Sequence, residues 1–274
     1  MRDEGPEIVI RPSSASIWND CPRRQAARVF KHLVEDAGYQ LATRTFKHIG
    51  AAIGTAVHAG AESLNRARMA ESRPDVDEAI DRALLSFGEE MVTDEILWDQ
   101  MSPHPGTAQK QIDKMVRRYR SDVLKTDMKP LAVEQRLEGK INSRVIVSGK
   151  LDSLVMYPYT LADVKTGTRR RNNASQYGLY SPLARANGFQ VEKIVEEYVP
   201  RVQVNAEQPP LQRVEIDPAY AEDAALRTVE IIVAQVDAFM QTGDPASFPS
   251  NPNSALCSNK FCPAHGTKFC KDWI

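Results

Sequence analysis

Two aspartates and a lysine stand on neighbouring strand-like segments. Asp152 closes Ser148-Gly149-Lys150-Leu151-Asp152, and Asp163 and Lys165 lie in Leu161-Ala162-Asp163-Val164-Lys165-Thr166-Gly167. Two converging carboxylates repel, by about 4 kcal/mol for charges ~4 Å apart at an effective dielectric of ~20. A hard cation such as Mg²⁺ or Mn²⁺ removes that repulsion and suits oxygen ligands. Such a site can activate water and stabilise charge on a phosphate, with a lysine to place the water or neutralise phosphoryl oxygens. The chemistry on offer is phosphodiester hydrolysis. The same residues also read as a surface hairpin with a cross-strand ion pair, which is worth little.

The elements that must position them are strands. Residues 145–157 and 160–166 are rich in β-branched and aliphatic side chains, with Pro158-Tyr159 between them, so a tight hairpin is expected. Alternation puts Asp163 and Lys165 on one face, with Ala162 and Val164 on the other. If Tyr157 pairs with Thr160, Asp152 falls opposite Lys165 and Asp163 is its diagonal neighbour, ~7–8 Å away. A one-residue slip would move Asp152 to the other face.

Gly149-x-x-Asp152 followed by Asp163-x-Lys165 resembles the PD-(D/E)XK nuclease motif. Three further segments resemble the RecB-like branch, which includes AddB nucleases and CRISPR-associated RecB-like exonucleases. They are Ser14-Ala15-Ser16-Ile17-Trp18-Asn19-Asp20-Cys21-Pro22, Gly54-Thr55-Ala56-Val57-His58 and Gln176-Tyr177-Gly178-Leu179-Tyr180. Each motif alone is weak; their order over residues 14–180 is the specific signal. The resemblance implies that His58, Asp152 and Asp163 bind Mg²⁺ or Mn²⁺, with the Val164 carbonyl a further ligand. It implies that Lys165 assists the attacking water, and that Glu134, Gln176 and Tyr180 support the site or contact nucleic acid.

The residues carry alternative readings as well. His58 shares a helical face with Ile53, Val57, Ala61 and Leu64, where a histidine is more often a satisfied core or surface group. Gln176 and Tyr180 are four apart, as in ordinary helix packing. Glu134, in Leu131-Ala132-Val133-Glu134-Gln135-Arg136-Leu137, could be an exposed strand glutamate.

Composition bounds the rest. The 274 residues are 42% hydrophobic and 26% charged, which is globular. No apolar run reaches the ~20 residues of a spanning helix, and Met1-Arg2-Asp3-Glu4-Gly5 is no secretory signal. The cytoplasm, bacterial or that of a phage's host, is expected, with no membrane partner. The 35 basic and 36 acidic residues leave a net charge of −1, so any grip on nucleic acid is local rather than global. Arg169-Arg170-Arg171 follows the Asp-x-Lys strand directly and could hold a phosphate backbone; Arg117-Arg118-Tyr119-Arg120 lies in a long amphipathic pattern.

Four cysteines remain: Cys21 near the front, and Cys257, Cys262 and Cys270 near the end. Clustered cysteines in a cytosolic enzyme point to metal rather than disulfides. Four thiolates suffice for a [4Fe–4S] cluster, and the resemblance implies the same: several RecB-like nucleases place one cysteine before the core and three after it. The gaps here, of four and seven residues, are wider than that branch's usual spacing. His265 between Cys262 and Cys270 keeps zinc as an alternative.

Along the chain, residues 1–13 read as a polar arm. Helices are expected over about 16–37, 54–70, 76–93 and 107–125, strands within 131–166, and a helix from Gln176 to Asn187-Gly188. Strands near 195–199 and 214 and a helix from Asp217-Pro218 to Thr242 complete the pattern. This is α/β: a central mixed sheet flanked by helices, restriction-endonuclease-like by resemblance. The expected organisation is an N-terminal arm and helical lobe (1–130) integral to the nuclease domain, the core (131–245) and a cysteine-rich tail (246–274) closing onto Cys21. The expected function is a metal-dependent DNA nuclease, most specifically an exonuclease on ends or single strands in DNA processing or recombination. A non-cutting nucleic-acid-binding or assembly module with the same fold is the alternative.

Overall fold

The computed structural model describes residues 7–126, 128–156 and 158–273, with the side chains of 271–273 left out. Residues 1–6 of the expected polar arm and Tyr157 of the hairpin lie outside the described residues. The rest of the arm is structured. Ile8–Ile10 (β1) alternates buried, exposed, buried and joins the sheet. The helix expected over 16–37 is three helices: α1 (Pro12–Trp18), α2 (Pro22–Val29) and α3 (Lys31–Asp36). Pro22 has no N–H to continue a helix, so Cys21 is extended at φ −159° and Pro22 opens α2 instead. Phe30, at φ −111° and ψ 36°, separates α2 from α3.

A small parallel pair, β2 (Lys47–His48) and β3 (Ile96–Leu97), brackets two long helices, α4 (Ile49–Met69) and α5 (Val76–Thr93). Asp75 caps α5 by accepting from the N–H groups of Asp77 and Glu78. α6 (Pro105–Val123) begins on a proline, where a missing N–H costs nothing. Then follow β4 (Lys129–Lys140), β5 (Val145–Met156), β6 (Thr160–Gly167), α7 (Ala174–Ala186), β7 (Lys193–Pro200), β8 (Gln212–Ile216) and α8 (Pro218–Thr242). Asp217 caps α8, and Gly243 ends it in the left-handed region at φ 65°.

The six-stranded sheet is mixed, in the order β1-β5-β6-β7-β8 with β4 also on β5. β4 runs antiparallel along nearly all of β5. The other edge of β5 is shared: β1 takes Val145 to Val147 and β6 takes Ser153 to Val155. Residues 148–152 face neither strand, and the functional residues gather at this fork. The hairpin register is Ser153 opposite Ala162 and Val155 opposite Thr160. That is two residues away from the register expected from a two-residue loop. A two-residue shift preserves the face of every side chain, so Asp152 stays on the face of Asp163 but falls beside it rather than opposite Lys165.

Two apolar cores flank the sheet. One packs α1–α3, α7, α8 and the C-terminal tail against it, and includes Trp18, Tyr177, Phe239, Phe248 and Phe269. The other joins α4–α6 to Val164 of β6 and Val199 of β7. The turn-rich tail is therefore held partly by ordinary burial: Phe248 and Phe269 are fully enclosed.

Helix approach is set by glycine. An added Cβ at Gly178 of α7 would lie 1.8 Å from the Ala221 carbonyl oxygen of α8. At Gly149 it would lie 2.8 Å from Pro12 and 2.9 Å from the Tyr180 ring. Gly178→Ala must push two helices apart and should cost ~3 kcal/mol or more. Gly88→Ala in α5, where a Cβ meets nothing within 4 Å, should instead stabilise by up to ~1 kcal/mol. Urea unfolding midpoints of the two variants check both signs.

Candidate active site

The register aligns acids across four strands. Val133 pairs with Ser153 and Gln135 with Leu151, which brings Glu134 of β4 beside Asp152 of β5. Continuing the Ser153–Ala162 pairing puts Asp152 beside Asp163 of β6, and Asp163 pairs with Glu196 of β7. Glu134 sits at φ +52° inside its strand. That left-handed conformation is costly for a residue with a Cβ and is typical of functional sites.

The fork is held by side chains. Beyond Ser153 the ladder between β5 and β6 stops, and Asp152 Oδ2 accepts the Val164 N–H at 2.8 Å. The same oxygen lies 3.3 Å from His58 Nδ1. Burial would raise the Asp152 carboxyl, but His58, Lys165 and the Val164 N–H outweigh it and hold the pKa below the usual value. His58 shifts in the complementary sense: burial opposes its charge, yet the Asp152 carboxylate raises its pKa.

Asp163 is 2% exposed. Its Oδ1 accepts from Gln176 Nε2 at 3.2 Å, while Oδ2 carries an ion pair with Lys165 but no well-directed hydrogen bond. Burial, reinforced by Asp152 against the pull of Lys165, pushes the Asp163 carboxyl up to about 6. Burial alone would lower Lys165; Asp163 and Asp152 reverse that and raise it. Its ammonium also stands 5.8 Å from the Tyr177 ring centroid. Glu134 is raised chiefly by burial and then by Asp152, despite an ion pair with Lys150.

Two helices aim the remaining groups. α4 buries Ile53, Val57, Ala61 and Leu64, and His58 leaves that face at the edge of the fork. α7 places Gln176 on Asp163, while one turn later the Tyr180 hydroxyl donates to the Lys150 carbonyl at 2.7 Å. Burial, then the nearby carboxylates, raises the Tyr180 hydroxyl and keeps it protonated.

The donor set suits a cation. His58, Glu134 and Asp152 each offer a ligand atom, all within 4.8 Å of one another. The buried Asp163 Oδ2, without a directed hydrogen bond, stands beside them. Glu134 thus joins the clustered atoms, where the motif alone puts Asp163 with His58 and Asp152. Val164 reaches the site through its N–H. All three arginines of the loop are exposed, and Arg170 also reaches inward to Glu196 through Nε. Arg117, Arg118 and Arg120 are engaged with Asp77, Asp113, Asp122 and the Pro74 carbonyl, so that cluster ties α6 to its surroundings.

The motif reading misses Glu196 and Tyr177. Glu196 is fully buried and accepts from Arg170 Nε at 2.6 Å, Asn173 Nδ2 at 3.2 Å and the Tyr177 hydroxyl. The available signal is a pair of adjacent glutamates, Glu196-Glu197, inside an otherwise apolar strand pattern. Cys21, Cys257, Cys262 and Cys270 are free thiols lining one cavity with Arg24 and His265.

Residues 11–267 match the model of the PD-(D/E)XK nuclease superfamily, and the chain belongs to that superfamily. The crystal structure of a candidate exonuclease from Eubacterium rectale is similar at a TM-score of 0.57 and 12% identity, covering 91% of this chain and 86% of that one. At that identity the likeness is one of fold. LHK-Exo, solved in complex with dAMP, aligns at a TM-score of 0.33 and 11% identity over 70% of this chain and 96% of its own, and carries no argument. No curated protein matches by sequence. No described helix is long and apolar enough to cross a membrane.

Nucleases of this superfamily use divalent metals, which the site can register as stability. A carboxyl raised in the fold destabilises it when charged, so Glu134 removes stability as pH rises through its unfolded value towards the raised one. In EDTA near neutral pH, Glu134→Gln should raise the Tm. Mn²⁺ at ~100 times its Kd should stabilise the wild type by ~2.7 kcal/mol, and Asp152→Asn should lose that response. Thermal melts in EDTA and in Mn²⁺ test both statements; an unchanged Mn²⁺ response in Asp152→Asn would remove Asp152 from the metal site.

Proposed function

We propose that this member of the PD-(D/E)XK nuclease superfamily is a Mg²⁺- or Mn²⁺-dependent DNA nuclease of the RecB-like branch, cutting as an exonuclease at ends or in single strands. The observation that carries the reading is the convergence of Glu134, Asp152, Asp163, His58 and Lys165 at one fork in the sheet. His58, Glu134 and Asp152 would hold the metal, with Asp163 completing the set when its oxygen turns from Lys165. The bound metal would lower the pKa of water and neutralise charge on the phosphate.

The chain's own groups do the rest. The Val164 N–H fixes one oxygen of Asp152, leaving the other for a ligand. Gln176 orients Asp163 from the helix side. Lys165 stays protonated among carboxylates, so it serves as a fixed positive charge for phosphoryl oxygens and the attacking water rather than as a base. Tyr180 secures the Lys150 carbonyl and so the β5 backbone that carries Asp152. Arg169 and Arg171 are exposed on the loop that follows the Asp163–Lys165 strand, where they can meet the nucleic-acid backbone. The helical lobe to residue 130, the core to 245 and the tail serve as one nuclease unit.

The four cysteines would hold a [4Fe–4S] cluster. The support is the lining of one cavity by all four thiols, drawn from both ends of the chain, which matches the ligand count of such a cluster; His265 on the same cavity is what a zinc site would use. Protein prepared anaerobically should be brown with about four irons per chain, and Cys262→Ser should lose the colour. A colourless preparation containing zinc would replace the cluster with a zinc site.

End-labelled single- and double-stranded DNA, linear and circular, tests the activity. Linear DNA should disappear with Mn²⁺ and persist in EDTA, and circles should be spared. Asp163→Ala and Lys165→Ala should each lower the rate by about 10²–10⁴-fold while circular dichroism and the EDTA melt show a folded protein. Full activity in either variant would sink the assignment.

A further inference from the structure

A fully buried glutamate stands one strand beyond the proposed site. Glu196 pairs in register with Asp163, so their strands lie about 4.8 Å apart. A carboxylate with no exposed surface is costly unless donors surround it. Glu196 has three: the Tyr177 hydroxyl, Asn173 Nδ2 and Arg170 Nε. All come from the loop after β6 or the first turn of α7. Burying this charge therefore fixes that loop against the sheet beside Asp163.

Arg170 is the informative member. Its side chain is 41% exposed, although its Nε is bound to an acid that is 1% exposed. A guanidinium carries five N–H donors in a rigid plane. One is committed inward, and the four on the Nη atoms have no protein partner among the described residues. A purely structural arginine would be expected to spend more of its donors within the fold, as Arg144 does on both oxygens of Asp237. Arg170 is held by one edge and offers the other to solvent, on an acid whose strand pairs with that of Asp163.

We infer that Glu196 is a positioning residue: it anchors Arg170 by Nε so that the outward Nη groups take the backbone phosphate next to the one being cut. This rests on the nucleic-acid reading of the site and goes beyond it by naming the phosphate contact and what aims it. The inward hydrogen bond sets the side chain before substrate arrives, so its rotamer entropy is not lost on binding. Lysine cannot substitute, because a single ammonium cannot sit on Glu196 and also present a planar fork.

The test measures the affinity of a fluorescein-labelled single-stranded oligodeoxynucleotide, with Ca²⁺ replacing Mg²⁺ to suppress cleavage, over roughly 50–200 mM KCl. Arg170→Ala should weaken binding about ten-fold and lower the slope of log Kd against log salt by about 0.7, as for one phosphate contact on a single strand. Glu196→Leu, of similar volume but with no acceptor for Nε, should reproduce both changes, and the double variant should add nothing further. Tyr177→Phe removes a different bond to Glu196 and should lower stability while leaving the slope unaltered. Arg170→Lys, an exposed substitution that spares the buried acid, should bind as weakly as Arg170→Ala even if Glu196→Leu fails to fold. Wild-type affinity in Arg170→Lys, or an unaltered salt slope in a folded Glu196→Leu, overturns the inference while the nuclease reading stands. No binding by the wild type overturns both.

Discussion

The structure depends on one substitution of bonding partner. Where β5 and β6 part after Ser153 and Ala162, a ladder bond is replaced by the Val164 N–H donating to the Asp152 carboxylate. That exchange stops the strands from closing over the site and leaves residues 148–152 free on the edge that β1 and β6 share. It also satisfies a backbone donor that would otherwise be left unpaired beside a buried acid. The strand that ends the ladder thus supplies the ligand, and the strand that loses its partner supplies the acid and the lysine. The close fit of α1 and α7 follows, because only Gly149 admits Pro12 and Tyr180 against that edge.

Charge at the fork is arranged to be incompletely compensated. Four acids lie in a row across β4 to β7, and each has a partner of opposite charge on hand: Lys150 for Glu134, His58 for Asp152, Lys165 for Asp163 and Arg170 for Glu196. The carboxyls of Glu134 and Asp163 remain raised all the same. Burial and the like charge of Asp152 in the adjacent strand keep both raised. Glu196 differs, being satisfied by three donors. Its charge is satisfied within the fold, whereas those of Glu134 and Asp163 are not.

The termini bear on the same site. The tail bonds to the segment leading into α4 at two points: Ala42 N–H to the Pro263 carbonyl at 2.8 Å, and Phe46 N–H to the Lys260 carbonyl at 2.7 Å. These contacts flank Cys262 and precede the helix that carries His58. The tail that carries Cys262 is thus tied directly to the segment that leads into α4. Phe248 and Phe269, packed with Phe239 at centroid distances of 5.2 and 5.8 Å, also hold the tail without any metal.

The sequence by itself determined the local elements and the motif order. The long helices follow from apolar periodicity and from Asp75, Asp217 and Gly243 at their ends; the hairpin follows from Pro158-Tyr159 between two apolar runs. The face shared by Asp152, Asp163 and Lys165 survives even a two-residue error in register, because the strand period is two. What only the tertiary structure decided is convergence. β1 draws Ile8 and Ile10 out of a seemingly polar arm, since its partner Val145–Val147 is far away in the chain. Proline at 22 breaks a pattern that periodicity alone makes continuous. Glu134, itself left-handed inside a strand, comes to lie with His58 and Asp152, and Glu196 is buried beside Asp163 because β7 pairs in parallel with β6. Periodicity reports which face a residue occupies; which faces meet depends on contacts between residues tens of positions apart, and those form only when the sheet is assembled.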